Sequence, residues 1–505
     1  MNKSILAIDL GTTAVKVAVF SCSGKMLGQS TVEYDLITPQ PNWVEADENI
    51  HYESIKSAIA MLPEEVDRSS IAAIGFSAQG ETLFFVDEDG KPLRRPIIWM
   101  DTRANEEAEV LRRTFGDELC YRVTGQVSFE ACWPASKVMW VRDHEPELFE
   151  KTSRVLLIED YIIALLTGQY VTEGSLLTST EYWSIETKDY WQEMLDMIGL
   201  KREMLPRIME SGEAVGTILP QIADDLGISR NAVVCTGCLD QAAGAIGVGN
   251  VRTGCFSENI GAALAVCVPV ERLVYDPAHI MPVHYFAIPN TYMIHTFTTG
   301  GMALRWYRDT FCEEEMNVGT RTGLDPYYLM DQQAVSVPAG SEGLIMLPHL
   351  NGSMAPDMNA NAKGVFFGFT MKHRRPHFIR ALLESIGFII RRNIDALGDM
   401  GIRVNEIRSL GGGSKSPVWN QIKADILGIP VVTMDSKEAA CLGAAILAGK
   451  GIGVFNDIEE ACLSMVHEKR RFEPSKENAE VYEKQYEMYK KLFVDLEECF
   501  ARNAR

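Results

Sequence analysis

The sequence places an aspartate, a glycine and two threonines in succession near its beginning. Asp9 ends a short apolar run and is followed by Gly11, Thr12 and Thr13. A strand that turns through Gly-Thr-Thr can direct backbone N–H groups and two hydroxyls at phosphate oxygens, and Asp9 could hold Mg²⁺ through water. Lys16 could neutralise charge nearby. The alternative is an ordinary hairpin with a polar turn, and the segment is not a Walker A loop because G-x-x-x-x-G-K-[ST] is absent here.

A second candidate is Asp240, where a predicted strand passes into a helix rich in glycine and alanine. The helix dipole favours an ionised carboxylate at this end of a helix. Phosphoryl transfer to an alcohol needs an acceptor for the hydroxyl proton, and Asp commonly serves as that acceptor. The alternative is a plain helix cap, which position alone favours.

A third candidate is the glycine run at residues 411–413, which is followed by Ser414, Lys415 and Ser416. Three glycines after a strand let the backbone pass close to a flat or charged ligand. A generic glycine-rich turn explains the pattern equally well.

The elements that position these residues form an α/β pattern that occurs twice. Alternating apolar runs and turn residues predict strands at 4–10, 14–20 and 71–76, and again at 254–260, 263–268 and 407–410. Residues 233–250 are predicted to form a strand followed by a helix. A charged helix is predicted over 101–113, capped at Asp101 or Thr102, and another over 419–427. The second half of the chain therefore repeats the domain of the first half.

Composition restricts the class of protein and of partner. A chain of 505 residues suggests two domains of about 250 residues each. The net charge of −21 argues against nucleic acid and anionic membranes as partners. No apolar run is long enough to span a membrane or form a signal peptide core, so a cytoplasmic protein is expected. Cys235 and Cys238 form a C-x-x-C without a second pair, which predicts buried, reduced thiols.

Taken in order, these segments resemble the FGGY family of carbohydrate kinases, within the actin-like ATPase superfamily. Residues 364–370 (Gly-Val-Phe-Phe-Gly-Phe-Thr), with His377-Phe378 and residues 381–384 behind them, satisfy one family signature. Residues 134–144 fit the other signature, except that Cys132 stands at its first position. Residues 438–445 look like the helix of the family's second domain.

The resemblance implies a fold and a set of roles. The fold would be two ribonuclease-H-like domains, at residues 1–248 and 249–505, with a catalytic cleft between them. ATP and Mg²⁺ would be the cofactors, Asp240 the catalytic base and Asp9 the metal-binding residue. Substrate hydroxyls would contact Gln79, Gly80, Glu81, Asp240 and Gln241. The nucleotide would contact Gly11, Thr12, Thr13, Lys16, Gly261, Gly301, Gly412, Gly413 and Ser416.

Departures from the family pattern keep the substrate open. The second phosphate turn reads Gly261-Ala262-Ala263 and lacks the usual hydroxyl, so contact there would come from backbone N–H groups. Glycerol kinases of the family have arginine where this chain has Gly80, and its loss opens space for a larger substrate. Trp99, Asp101 and Arg103 match the family's W-x-D-x-R, with Arg103 either a structural ion pair or a site residue.

A ketopentose such as xylulose is the expected substrate, and a polyol (erythritol- or glycerol-like) or another sugar is the alternative. A catalytically idle sugar sensor or a nucleotide-dependent switch is the alternative outside enzymes. We also expect a homodimer.

Overall fold

The computed structural model describes residues 3–435 and 438–503. Its secondary structure is built around two mixed β-sheets, one in each half of the chain. Both sheets have helices packed on them, which is the layered arrangement of α/β proteins.

The first sheet has the strand order β5-β6-β4-β1-β2-β3, with β7 also paired to β4. The pairs β6-β4 and β4-β1 are parallel, whereas β1-β2, β2-β3 and the edge pair β5-β6 are antiparallel. The central strand β1 is apolar along almost its whole length, as expected for a strand covered on both faces. The strands are β1 Ser4–Leu10, β2 Ala14–Ser21, β3 Met26–Glu33, β4 Ile71–Ala78, β5 Ala214–Thr217, β6 Val233–Cys235 and β7 Cys238–Leu239.

The second sheet repeats this topology, in the order β10-β11-β9-β8-β12-β13-β14. β8 is antiparallel to β9 and parallel to β12, just as β1 is antiparallel to β2 and parallel to β4. The strands are β8 Cys255–Ile260, β9 Ala263–Val270, β10 Val283–Tyr285, β11 Tyr292–Thr299, β12 Glu406–Gly411, β13 Val431–Met434 and β14 Glu468–Phe472. The predicted duplication of one ribonuclease-H-like α/β unit is confirmed.

Helices pack around the two sheets, and short two-stranded ribbons form separate small sheets. The helices of the first half are α1 Ile50–Ala60, α2 Asn105–Phe115, α3 Asp117–Thr124, α4 Pro134–His144, α5 Pro146–Lys151, α6 Ile158–Thr167, α7 Gly174–Leu177, α8 Gln192–Ile198, α9 Pro220–Leu226 and α10 Asp240–Gly247. Those of the second half are α11 Gly301–Phe311, α12 Glu313–Thr322, α13 Pro326–Val335, α14 Arg375–Asp399, α15 Pro417–Leu427, α16 Ala439–Gly451, α17 Ile458–Met465, α18 Lys476–Asp495 and α19 Glu497–Asn503. The ribbons pair Leu83–Val86 with Arg154–Leu157, Val171–Glu173 with Arg207–Met209, Trp183–Ser184 with Asp189–Tyr190, and Ile345–Leu347 with Val365–Phe367.

The two halves meet where α10 and α16 cross. A Cβ atom added to Gly247 would lie 1.8 Å from the carbonyl oxygen of Ala439, and one added to Gly443 would lie 1.9 Å from that of Ala243. The helix backbones are therefore in direct contact, which only glycine permits at these two positions. Helix α16 also packs on β1 and β4 of the first sheet.

The predicted start of the helix at 101–113 is wrong. Helix α2 begins at Asn105, and Asp101 does not cap it. The Asp101 carboxylate instead accepts hydrogen bonds from the Val44 N–H and from the Arg103 guanidinium. A long-range bond from Val44 and local bonds from Arg103 thus take over the side chain that the pattern assigned to a cap.

Within residues 3–435 and 438–503, no helix combines the length and apolarity that crossing a bilayer would require.

Candidate active site

Three polar segments leave the first sheet at the same edge. Asp9 on β1 is in register with Ser77 on β4, and Ser77 is in register with Cys238 on β7. These three strands are parallel, so the residues that follow them emerge together. This register brings residues 9–13, 79–81 and 240–241 to one place.

Asp9 is held at this edge by a neighbouring strand. The Ser77 hydroxyl donates to Asp9 Oδ1 at 2.7 Å, and Lys16 is the cross-strand neighbour of Asp9 on β2. Burial raises the pKa of the Asp9 carboxyl, and the Ser77 hydrogen bond opposes that rise.

The hairpin turn after Asp9 is fixed from three directions. The Gly11 carbonyl accepts hydrogen bonds from Tyr34 Oη at 2.5 Å and Gln79 Nε2 at 3.3 Å, while its N–H donates to the Ala14 carbonyl within the turn. Trp99 Nε1 donates to Thr12 Oγ1 at 2.9 Å. Because this hydroxyl oxygen already accepts the indole N–H, its own hydrogen is left to donate toward a ligand.

The segment 79–81 carries one amide and one carboxylate into the site. Gln79 is buried, and its Oε1 lacks a hydrogen-bond partner among the described residues. Glu81 has a positive φ of 61°, which is uncommon outside glycine and turns its side chain away from the regular strand direction. Burial raises the pKa of Glu81, opposed by a hydrogen bond from Ser179 and by the charge of Lys137.

Lys137 was not predicted as a site residue from its own chemistry. Its Nζ donates to the carbonyls of Ile98 and Trp99, both at 3.0 Å, and lies 3.5 Å from the carbonyl of Glu81. Burial lowers the pKa of this fully buried amine to about 8. In the sequence, Lys137 was marked only by its place in the segment 134–144 that fits a family signature, and no role was assigned to it there.

Asp240 is the first residue of α10, beyond the end of β7. Burial raises the pKa of its carboxyl to about 7, and the charges of Asp9 and Glu81 contribute to the rise. Three carboxyl groups from three strand ends therefore converge on one space. A carboxyl that titrates near neutrality beside such a space can accept a proton from an alcohol.

The second sheet presents its glycine turns at the equivalent edge. Ile260 at the end of β8 is in register with Gly411 at the end of β12. The Gly301 N–H donates to the Gly261 carbonyl at 3.1 Å, and a Cβ at Gly301 would lie 2.3 Å from that oxygen. Gly412 and the exposed Gly261 thus lie at one edge, with Gly301 closing the turn.

Beyond the glycine run, Gly413 packs on Ile260, so a Cβ there would lie 2.8 Å from the Ile260 Cβ. Ser416 caps α15, with its Oγ accepting the Trp419 N–H at 3.0 Å. Beside the Gly261 turn is a small apolar cavity of about 130 Å³, lined in part by Ala262, Met302 and Asn351.

Lys16 is engaged by the second half of the chain. Its Nζ lies 2.5 Å from Glu438 Oε2, just before α16. Lys16, which the sequence suggested as a positive charge near phosphate, is thus paired with a carboxylate in this conformation.

Arg103 forms a buried ion pair. Its guanidinium bonds Asp101 at 2.8 Å and Glu45 at 2.9 Å, and it lies 3.9 Å from the centre of the Trp43 ring. The sequence left open whether Arg103 forms a structural ion pair or is a site residue, and these contacts support the structural ion pair. Cys235 and Cys238 are buried free thiols, as predicted.

The donor set suits a cation shared with phosphate rather than one caged by protein. No group of three or more His, Cys, Asp or Glu side chains at ligand spacing is found in the described part of the chain. Mg²⁺ typically binds one or two carboxylates, with waters and substrate phosphates completing its shell. The Asp9 carboxylate, beside the hairpin turn, fits that mode.

Comparison with known proteins decides the family. Residues 4–247 match the model of the N-terminal domain of the FGGY family of carbohydrate kinases, and residues 271–452 match that of its C-terminal domain. The chain belongs to the FGGY family of carbohydrate kinases. This FGGY kinase is 30% identical to a xylulose kinase of Bacillus subtilis, covering 97% of each chain. It is 29% identical to a gluconokinase of the same organism, covering 98% of this chain and 96% of the relative.

The fold agrees with the sequence relatives. The crystal structure of gluconate kinase from Lactobacillus acidophilus superposes with a TM-score of 0.90 at 27% identity, covering 99% of this chain and all of that one. The FGGY kinase is therefore an enzyme that phosphorylates a small sugar with ATP as phosphate donor. Its relatives act on more than one sugar, so family membership leaves the particular substrate open.

Proposed function

We propose that this FGGY kinase transfers the γ-phosphoryl group of ATP to a hydroxyl of a ketopentose such as xylulose, with Asp240 as the general base. The observation that carries the proposal is the convergence of Asp240 with Asp9 and Glu81 at one sheet edge. A family kinase needs one carboxylate to take the hydroxyl proton, and Asp240 is the one at a helix N-terminus.

In the reaction, the substrate oxygen attacks the γ-phosphorus as its proton passes to Asp240. The new oxygen–phosphorus bond forms as the bond from γ-phosphorus to the β,γ-bridging oxygen breaks, and ADP leaves. The helix dipole of α10 favours the ionised base and opposes part of the rise in its pKa that burial causes. Gln79 ties the hydroxyl-binding segment to the hairpin, because its Nε2 donates to the Gly11 carbonyl and its N–H donates to the Leu10 carbonyl.

Substrate and nucleotide would contact different segments. Gln79, Gly80, Glu81 and Gln241 would bind sugar hydroxyls, and the unpartnered Gln79 Oε1 is an acceptor available for one of them. The residues proposed for the nucleotide are Gly11, Thr12, Thr13, Lys16, Gly261, Gly301, Gly412, Gly413 and Ser416. The Gly261-Ala262 turn would bind phosphate through backbone N–H groups.

Asp9 would hold Mg²⁺ through water. When bound, the cation supplies positive charge that offsets the negative charge of the β- and γ-phosphates. Lys16 lies beside Asp9 and would turn from Glu438 toward the phosphates.

The charge of the pocket favours a neutral sugar over a sugar acid. Asp9, Glu81 and Asp240 are all carboxyl groups, and a substrate carboxylate placed among them would be repelled. The charge of Lys137 opposes this effect only in part, because its Nζ donates to the backbone carbonyls of Ile98 and Trp99 and is not free to bind a substrate carboxylate. This contrast would favour xylulose over gluconate, which are the substrates of two relatives by name.

The test is a coupled assay of ADP release with a panel of xylulose, other ketopentoses, gluconate, erythritol and glycerol. Xylulose or a related ketopentose should give the highest kcat/KM, and gluconate a low one. The Asp240→Asn variant should lose roughly 10²–10⁴-fold in kcat with the best substrate. A preference for gluconate would overturn the substrate proposal, and near-normal turnover by Asp240→Asn would overturn the base.

A further inference from the structure

The three residues before Asp240 form an extended segment, and among residues 3–435 and 438–503 one neighbouring strand, β4, pairs with it. The backbone of Cys238 pairs with β4, where it is in register with Ser77. Alternate N–H groups of an extended chain point to opposite sides, so those of Gly237 and Leu239 point away from β4. Buried N–H groups need acceptors, and no strand in the described part of the chain supplies them on that side.

Two buried side chains supply these acceptors. Glu159 Oε1 accepts the Gly237 N–H at 2.7 Å, and Ser175 Oγ accepts the Leu239 N–H at 3.0 Å. Glu159 is 1% exposed and Ser175 is fully buried. A Cβ at Gly237 would lie 2.3 Å from the Phe76 carbonyl oxygen and 2.7 Å from Glu159 Oε2, so the segment is clamped between β4 and Glu159.

The Ser175 hydroxyl has a defined direction because Glu173 takes its hydrogen. Ser175 Oγ donates to Glu173 Oε1 at 2.8 Å, which leaves its lone pairs for Leu239. Glu173 also accepts the N–H groups of Ser175 and Leu176, both at 2.7 Å, and the Ser211 hydroxyl at 2.6 Å. Four donors therefore hold this buried carboxylate in one orientation.

Burial favours the neutral form of Glu159. Burial, followed by the charge of Glu173, raises the pKa of Glu159 well above its ordinary value. Its Oε2 has no hydrogen-bond partner among the described residues, which a buried charge would not tolerate but a neutral acid does at lower cost. Glutamine has the same shape as a neutral glutamic acid and keeps the acceptor at Oε1.

We propose that Glu159 and Ser175 are positioning residues for Asp240. By fixing Gly237 and Leu239 they set the direction in which the Asp240 carboxylate leaves the segment toward the sugar hydroxyl. This inference rests on the proposed role of Asp240 as base, and neither residue need touch a substrate. Misplacing a catalytic group by about 1 Å can cost about 10²-fold in rate.

The decisive comparison is between Glu159→Leu and its matched control Glu159→Gln, assayed in the full-length enzyme with the best panel sugar. Glu159→Leu should lower kcat by about 10²-fold while the KM values for sugar and ATP stay within about threefold. Glu159→Gln should keep kcat within about threefold of the wild type. Equal losses in the two variants would overturn the role of Glu159.

Ser175→Ala provides an independent measurement if Glu159→Leu does not fold. It removes one small acceptor, and kcat should fall by about tenfold or more, again with little change in either KM. A folded Ser175→Ala enzyme with wild-type kcat, or one whose loss lies in KM alone, would overturn positioning. Asp240→Asn is assayed alongside, because its normal turnover would refute the base itself and leave a different signature from failure of these two variants.

Discussion

At the scale of the residue, the raised pKa of Asp240 has a consequence for stability. A carboxyl whose pKa is higher in the folded protein binds its proton more tightly there, so its ionisation destabilises the fold. For Asp240 this loss of stability develops between about pH 4 and about pH 7, its pKa in the folded protein, and is complete above that. The group that the reaction needs therefore lowers the stability of the resting protein.

Asp240→Asn should consequently make the ligand-free protein more stable at pH 8, by on the order of 2 kcal/mol, with a smaller gain near pH 4.5. Thermal unfolding of both proteins at the two pH values measures the difference. Asp89→Asn, in an exposed turn where it lies 3.7 Å from Lys91, is the control and should show no such trend. A stability gain that is the same at both pH values would contradict the assignment of this pH dependence to the Asp240 carboxyl.

Residue patterns revealed part of the site and missed the rest for a physical reason. Asp9 and Asp240 follow apolar runs and precede glycine or small residues, so the sequence displays them as groups at strand ends. Lys137, Glu159 and Ser175 touch the site through backbone groups that lie 38 to 78 positions away in the chain. Such contacts depend on tertiary packing, and no local pattern encodes them. The role of each proposed residue stays a prediction until variants are assayed.

At the scale of the element, the crossing of α10 and α16 is the most restrictive feature. The sequence shows that the first of these helices is rich in glycine and alanine. It does not show which helix packs against it, because the two are separated by nearly 200 residues in the chain. Predicted strands were correct to within one or two residues where apolar runs ended at glycine. The predicted start of α2 was wrong, because Asp101 accepts hydrogen bonds from the distant Val44 and from Arg103 instead of capping the helix.

Gly443→Ala should destabilise the protein by about 2 kcal/mol or more, because the new Cβ would meet a backbone oxygen that cannot move independently. Urea unfolding measures this loss. The matched control is Gly398→Ala in helix α14, where a Cβ would meet no atom within 4 Å. That change should be neutral or stabilise by about 0.5–1 kcal/mol, since alanine favours helix. Equal effects at the two sites would show that the helices can separate without cost.

At the scale of the whole molecule, the groups proposed for catalysis belong to both halves. Asp9 and Asp240 stand on the first sheet, whereas the turns at Gly261 and Gly412 stand on the second. The contact of α10 with α16 joins the halves through small side chains, and Lys16 and Glu438 form an ion pair between them. Packing through small side chains is compatible with rotation of α10 and α16 about their crossing. A rotation that brings both halves onto ATP and sugar would exclude water from the reacting groups.

We therefore expect the molecule to become more compact when sugar and an unreactive ATP analogue bind together. Small-angle X-ray scattering should show a smaller radius of gyration with both ligands than with either alone. ATP hydrolysis without sugar should be much slower than phosphorylation, because the open cleft does not align water with the γ-phosphate.

Unchanged scattering at ligand concentrations that calorimetry shows to be saturating would mean a preformed cleft. Discrimination against water would then have to come from the hydroxyl-binding residues 79–81 alone, and replacing Glu81 would raise hydrolysis relative to sugar phosphorylation.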